Sequence, residues 1–226
     1  MSVTAPKTPP DYRKVIRVIG FDLDQTLYPK SPAVDEAIQR YILDKVAAER
    51  NCTLAQASAL FQDLYRGGSG LSGSQTLRAL GVPNGKEIVQ EALERANIAD
   101  TLSPDKDVTE LLSDLKTRYA GLDLITGSNA MDTEKKLRAL AIPKELFAHC
   151  ITADDASKSD GSSYHQWMSF YFLHPEQFLY IGDRVMSDYE IPRRLGINSI
   201  LVNVAVPDTV LNVLQLPSLL GIRQYL

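Results

Sequence analysis

From Ser103 onward, short apolar runs alternate with amphipathic stretches, and this alternation constrains the fold more than any other feature. "DVTELLSDLKTRY" spaces its apolar residues as a helix does, and "GLDLIT", ending at Thr126, is an apolar run of strand length. "TEKKLRALAI" is helical again, "AHCITA" is a short strand, "YHQWMSFYFL" a helix, and "QFLYIGD" a strand ending at Asp183. "SDYEIPRRLGI" reads as a helix despite Pro192, and "SILVNVA" as a further strand. Continuous apolar strands joined by helices predict an α/β fold, a Rossmann-like parallel sheet with helices on both faces. Upstream, "VIRVIGF" supplies a first strand over residues 15–23.

The block between Tyr28 and Ser103 has a different pattern. Val34, Ile38, Ile42 and Val46 recur every four residues, a helical face, with Ser31 as cap and Pro32 at the first helical position. Thr53 caps a second helical stretch running to Leu64. "YRGGSGLSGS", residues 65–74, is a glycine-rich break, and "QTLRALG" and "KEIVQEALERA" are helical again. With no strand pattern, the block is expected to be an all-helical insertion. The expected organisation is a disordered lead-in over 1–14, a core over 15–28 and 104–226, and a helical cap domain over 29–103.

The first strand ends in "FDLDQT", which places two acids, Asp22 and Asp24, at the end of a buried segment. Strand alternation would start both on one face. At about 4 Å two like charges repel by about 4 kcal/mol at an effective dielectric of about 20. A cation, a shared proton or a reaction that uses both acids would resolve this. In open parallel sheets ligands bind beyond the carboxyl ends of the strands, and the other polar residues of note fall there too. "TGSN" begins at Thr126, "ADDASK" ends at Lys158, and "GDRVMSD" offers Asp183 and Asp188.

This constellation resembles the haloacid dehalogenase-like (HAD) hydrolase superfamily, over about Val15 to Val204. "FDLDQT" meets the first motif, D-x-D-x-T. Thr126 meets the second, Lys158 the third, and Asp183 with Asp188 the fourth. The helical block sits where the superfamily carries its cap, and "DLDQTLYP" is similar to the branch containing pyrimidine 5'-nucleotidases. Two positions depart from the pattern: Gly127 stands where Asn usually follows Thr126, and Ser159 where Pro usually follows the lysine.

The resemblance implies a phosphoric monoester hydrolase, a phosphatase in which Asp22 attacks phosphorus to form an aspartyl-phosphate. Asp24 would protonate the leaving oxygen and then activate water. Magnesium would be held by Asp22, the main-chain carbonyl of Asp24 and Asp183, with Asp188 behind them orienting metal-bound water or Lys158. Thr126, Gly127 and Lys158 would hold the phosphate, helped by N–H groups at the helix start in "TGSNA". Dehalogenases resemble the pattern without Asp24, so its presence favours phosphate chemistry. The expected substrate is a small phosphomonoester, with a pyrimidine nucleoside 5'-monophosphate foremost on the strength of "TLYP". Phosphoglycolate and sugar phosphates stay open, as do a phosphomutase and a catalytically silent binding module, the last supported by Gly127 and Ser159. Tyr65 and Arg66, at the glycine-rich break, are candidate cap contacts to the substrate.

Composition narrows the partners. A formal net charge of −4 argues against binding nucleic-acid polymers, and no apolar run reaches the roughly 18 residues of a membrane span. The N-terminal stretch lacks the apolar core of a secretory signal, and Cys52 and Cys150 fit no metal-ligand spacing. A cytoplasmic monomer or small homo-oligomer is expected. The glycine-rich break is no P-loop, since no G-K-[ST] follows. His149, His165 and His174 show no acid or metal spacing, and Trp167 with the aromatics at 170–172 reads as a core helix face. "LLGIRQYL" reads as a packed tail.

Overall fold

A computed structural model describes residues 12–29, 31–65, 71–96, 98–204 and 213–226. The chain divides into two units, Met1–Lys30 with Leu102–Leu226, and Ser31–Thr101.

The first unit is built on six parallel strands in the order β3-β2-β1-β4-β5-β6. These are β1 Val18–Phe21, β2 Gly121–Ile125, β3 Cys150–Ile151, β4 Phe178–Gly182, β5 Asn198–Val202 and β6 Leu214–Leu216. Every residue of β1, β2 and β4 is buried, which is why β1 and β4 read as continuous apolar runs and β2 as one interrupted only by Asp123. The chain runs outward from β1 through β2 to β3, then returns to the other side of β1 for β4. Strand order therefore reverses between β1 and β4, where such sheets bind ligands. Phe21 pairs with Leu124 on one side and Ile181 on the other, so the ends of the three central strands lie level.

The helices α7 (Lys106–Arg118) and α9 (Ser162–Ser169) both pack against β2. Trp167 and Tyr164 of α9 join Val18, Ile125, Phe178 and Tyr180 in one core cluster. Gly20 makes room for it: a Cβ there would lie 2.7 Å from Ile125 Cδ1 and 2.8 Å from Trp167 Cζ2.

Several boundaries differ from the sequence reading. Tyr12–Val15 is a helical turn, α1, so Val15 lies outside the first strand, and the strand stops at Phe21. The lead-in upstream of Tyr12 lies outside the described residues. Because α9 ends at Ser169, the aromatics that follow divide: Tyr171 packs against the core cluster and donates to Asp123, whereas Phe170 and Phe172 stay outside it. Trp167 is fully buried, whereas Phe172 is fully exposed and Phe170 stacks on His149 with ring centroids 4.1 Å apart. His149 does have an acid partner, Asp123, which no spacing rule exposed. Asp123 is fully buried in β2 and accepts from His149 N at 2.9 Å, Trp167 Nε1 at 2.7 Å and Tyr171 Oη at 2.7 Å, while His149 Nδ1 lies 3.0 Å from it. The edge strand β6 was not anticipated; three residues with mixed burial give too little periodicity. "SDYEIPRRLGI" forms a π-helical turn, Val185–Glu190, followed by α10, Ile191–Arg194. The tail is a 3₁₀ helix, Leu219–Gln224, which buries Leu219 and Ile222.

The second unit holds α2 Pro32–Arg50, α3 Leu54–Leu64, α4 Gly73–Ala79, α5 Gly85–Ala96 and α6 Ile98–Thr101, with no strand among its described residues. Ile42, Val46, Phe61, Leu77 and Ala92 form its core. Thr53 starts α3 with a full capping box, accepting from Gln56 N while the Gln56 side chain accepts from Thr53 N. Ser72 and Gln75 repeat the device for α4. Ser31 occupies the cap position of α2 but makes no side-chain cap bond. Among the described residues no helix is long and apolar enough to cross a membrane.

Candidate active site

The site is built on the loops that follow β1, β2, β3 and β4. Asp22 follows β1 directly, and its N–H donates to Ile181 O at 2.8 Å, extending the ladder by one residue. Its carboxylate is buried, with Lys158 Nζ 2.7 Å from Oδ1. Asp183 follows β4. Five residues on, Asp188 reaches back across the π-helical turn, and its Oδ2 accepts from Asp183 N at 3.1 Å and Arg184 N at 2.9 Å. Its Oδ1 accepts from Ser187 Oγ at 2.9 Å and lies 2.7 Å from Lys158 Nζ. The five-residue spacing of the two acids is thus one turn closed on itself. Gly182 is required beneath it, since a Cβ there would collide with the Asp188 carboxylate.

Lys158 bridges Asp22 and Asp188 and lies over the ring of Tyr180, 5.2 Å from its centroid. Burial opposes its charge, but Asp188 and Asp22 outweigh that and hold its pKa above the ordinary value. Asp22 moves the other way from an ordinary carboxylate. Burial pushes it up to about 7, against the pull of Lys158 and with help from the charges of Asp188 and Asp24. Carboxylate oxygens of Asp22, Asp183 and Asp188 lie within 4.8 Å of one another.

The second acid is placed differently from the expectation. The ladder stops at Asp22 and the chain turns over residues 24–27, so strand alternation does not govern Asp24. In the turn, Leu27 N donates to Leu23 O at 3.1 Å and Gln25 lies in the left-handed region at φ 62°. Asn203, beyond β5, secures this turn by donating its side-chain amide to Gln25 O at 2.9 Å. Asp24 stands outside the three-carboxylate group, inside a cage of donors. Tyr28 Oη donates to Oδ1 at 2.5 Å, Lys136 Nζ to Oδ1 at 2.6 Å, and Ser128 Oγ to Oδ2 at 2.6 Å. Lys136 also donates to Ser128 Oγ at 2.8 Å. Burial works to raise Asp24, but Lys136, with the bonds from Ser128 and Tyr28, prevails and lowers its pKa. Each acid of "DLD" therefore has its own lysine.

Thr126 directly follows β2, buried, with its N–H on Ile151 O at 2.9 Å and its Oγ1 accepting from Ser128 N at 3.1 Å. Gly127 faces open space, with no atom within 4 Å of where its Cβ would be. The helix start after it is less available to an anion than the sequence suggested. Ala130 N donates to Asp154 Oδ2 at 2.9 Å and Asp132 N to Asn129 Oδ1 at 2.8 Å. Tyr65 closes α3 in the helical unit, its ring 4.9 Å from Phe61. Arg66 lies outside the described residues.

Tyr28, Ser128, Lys136 and Asn203 were not singled out as site residues by sequence reasoning. Lys136 did carry a signal. Thr133, Lys136, Leu137 and Leu140 fall at i, i+3, i+4 and i+7 in α8 (Ala130–Ala139) and the residue capping it, so this lysine sits on the buried face.

The fold and these loops match a known family. The model of the haloacid dehalogenase-like hydrolases matches residues 19–202, and the chain belongs to that family. Among solved structures, it is 19% identical to a HAD phosphatase from Thermococcus onnurineus, with a TM-score of 0.63 over 92% of this chain and 97% of that one. A β-phosphoglucomutase candidate from Thermotoga maritima is 20% identical, with a TM-score of 0.62 over 92% and 99%. A HAD-hydrolase candidate from Bacillus subtilis, determined with magnesium bound, is 16% identical, with a TM-score of 0.61 over 92% and 97%. At these identities the likeness is one of fold. No curated protein sequence matches this one.

Proposed function

We propose that this protein is a magnesium-dependent phosphomonoester hydrolase that works through an aspartyl-phosphate on Asp22. The observation that carries the reading is the buried Asp22 carboxylate at the strand switch point, held at 2.7 Å by Lys158 beside Asp183 and Asp188. A buried cluster of three acids with one lysine calls for a cation, and its all-oxygen donor set suits magnesium. Asp22, Asp183 and the main chain at Asp24 would hold the ion, which would offset the cluster's charge and that of a phosphate. Asp188 has both oxygens engaged by Lys158, Ser187 and the main chain, and so acts as a support.

With Oδ1 of Asp22 on Lys158, Oδ2 is the oxygen that attacks phosphorus. A P–O bond to Asp22 forms as the bond to the leaving oxygen breaks. Asp24, which its cage keeps ionised in the free protein, first takes a proton from solvent or from the substrate monoanion and then delivers it to that oxygen. Water then gives a proton to Asp24 and attacks the aspartyl-phosphate, which releases phosphate and restores Asp22. Thr126, Gly127 and Lys158 border the phosphate. By the family resemblance, choice of leaving group would fall to the helical segment, with Tyr65 and Arg66 as the candidate contacts. The substrate class is a small phosphorylated metabolite. "TLYP" points within it to a nucleoside 5'-monophosphate, preferably a pyrimidine one.

The test is phosphate release from a panel of nucleotides, sugar phosphates and phosphoglycolate, with and without magnesium, using wild type and Asp22→Asn. Release that needs the metal and is lost in the variant supports the reading, and the best substrate names the subgroup. Conversion without net phosphate release would mean a mutase, and no conversion of any compound would mean a binding module.

A further inference from the structure

We infer that Lys136 is a positioning residue for the second acid, fixing the Asp24 carboxylate so that it meets the leaving oxygen and then the water. The inference rests on the phosphatase reading above and adds to it a lysine outside the motifs that define the family. Three observations carry it.

Lys136 is a lysine on the inner face of its helix, with only 10% of its side chain exposed, where an apolar residue would satisfy the periodicity. Burying an ammonium is costly unless it is paired and hydrogen-bonded. Its ammonium meets the carboxylate of Asp24 at 2.6 Å. Finally, Lys136 and Ser128 close a ring on that carboxylate. Lys136 contacts Oδ1 and the Ser128 hydroxyl, and Ser128 contacts Oδ2, so both oxygens are fixed by groups that also fix each other.

A carboxylate on a turn after a strand end has free rotation about two bonds, and a misplacement of about 1 Å in a reacting group can cost about 10²-fold in rate. Tyr28 alone, on the same turn and bound to Oδ1 only, leaves the plane of the carboxylate undetermined. The serine comes from the loop after β2 and the lysine from the helix that follows it, and together they tie Asp24 to that side of the sheet. The departure at Gly127 fits this arrangement. The residue after Thr126 has no side chain, and the polar contact to the second acid comes from the next position, Ser128.

The test compares wild type, Lys136→Met, Ser128→Ala, Asp24→Asn and the Lys136→Met/Asp24→Asn double variant on an alkyl phosphate and on nitrophenyl phosphate. Methionine keeps the length and apolar stem of the lysine, so the helix face stays filled. Departure of an alkoxide needs the proton from Asp24, whereas nitrophenolate leaves without it. The expected result is that Lys136→Met lowers kcat/KM for the alkyl ester at least tenfold more than for the nitrophenyl ester. Ser128→Ala should do the same to a lesser degree, and the double variant should be no worse than Asp24→Asn. With nitrophenyl phosphate, Lys136→Met should also show a burst of nitrophenolate followed by slow turnover, because water activation still needs Asp24. Equal losses on both esters, or additive losses in the double variant, would overturn the inference, since a merely structural lysine acts on both alike. If wild type turns over neither ester, the phosphatase reading fails and this role fails with it. Thermal unfolding of the same four-member cycle still reads the contact, and additivity there would show that the two side chains do not interact.

Discussion

The ammonium of Lys158 lies 2.7 Å from Oδ1 of Asp22, and both groups are buried. Breaking a buried pair by removing one partner leaves the other charge uncompensated, at a cost of about 3–5 kcal/mol. Lys158→Met leaves Asp22 and Asp188 facing each other, so metal-free protein should lose about 6–20 °C in Tm, at about 2–4 °C per kcal/mol for a chain of this size. Adding Asp22→Asn should restore part of the loss, because the charge left unpaired is then gone. Calorimetry of the two variants decides it: a single variant as stable as wild type would mean the pair does not form in solution.

Asp22 also ties stability to pH. Burial raises its pKa from 3.8 in the unfolded chain to about 7 in the folded protein. A raised acid stabilises the fold relative to its ionised form below the unfolded pKa, and that contribution is lost as pH rises through the folded value. In chelator, Asp22→Asn, which mimics the protonated acid, should therefore gain on wild type between pH 4 and pH 7 and hold a constant advantage above. Magnesium at pH 8 should narrow the gap by stabilising wild type more than the variant. Melting curves of both proteins across this range give the answer, and a gap that does not change with pH would remove burial as the cause.

Much of this arrangement was legible in the sequence because parallel sheets write themselves plainly. Buried strands read as unbroken apolar runs, and their ends mark the ligand side. Asp22, Thr126 and Asp183 directly follow such ends, and Lys158 and Asp188 lie in the segments beyond them; strand order drew attention to these positions, and the family resemblance supplied their expected roles. What could not be read depended on where regular geometry stops. Asp24 leaves the alternation of the strand because the ladder stops at Asp22 and the chain turns at Asp24, with Gln25 left-handed. Its partners Ser128 and Lys136 are more than 100 positions away, and only the fold brings them to it. The helical period that buries Lys136 was visible, but a lysine on an apolar face has no meaning until its acid is placed. Phe170 and Phe172 failed in the opposite sense. Their aromatic character suggested a core face, while the helix that would have turned them inward ends at Ser169.

Gly182→Ala tests the closed turn between the fourth-motif acids. The added methyl would occupy the space of the Asp188 carboxylate, which two main-chain N–H groups and Lys158 hold in place. Overpacking a fixed site costs typically about 1–3 kcal/mol. Displacing Asp188 should also shift Lys158 and Asp183, and loss of such a supporting contact typically weakens metal binding about 10–100-fold. Magnesium titration followed by calorimetry should show both effects. A variant with wild-type magnesium affinity would argue that Asp188 plays no part in shaping the ion's ligands.

The turn that carries Asp24 makes the last prediction. Gln25 adopts φ 62°, a conformation that costs an ordinary residue about 1–3 kcal/mol where the surroundings impose it, and a β-branched residue most of all. Here the surroundings include Asn203, whose amide donates to Gln25 O at 2.9 Å and so pins the turn to the loop after β5. Gln25→Gly should be as stable as wild type or slightly more so, since relief of the left-handed strain offsets glycine's greater chain entropy. Gln25→Val should lose about 1–2 kcal/mol and, by shifting Asp24 within its cage, should reduce turnover of alkyl phosphates more than of nitrophenyl phosphate. Asn203→Ala, which removes the tether and also places alanine at φ 57°, should follow valine in the activity ratio at a stability cost above the roughly 1 kcal/mol of the hydrogen bond alone. The order glycine, glutamine, valine in thermal unfolding, together with the same ester discrimination in Gln25→Val and Asn203→Ala, would show that the left-handed turn aims the acid. Equal stability of the glycine and valine variants would mean that the chain does not take this turn in solution.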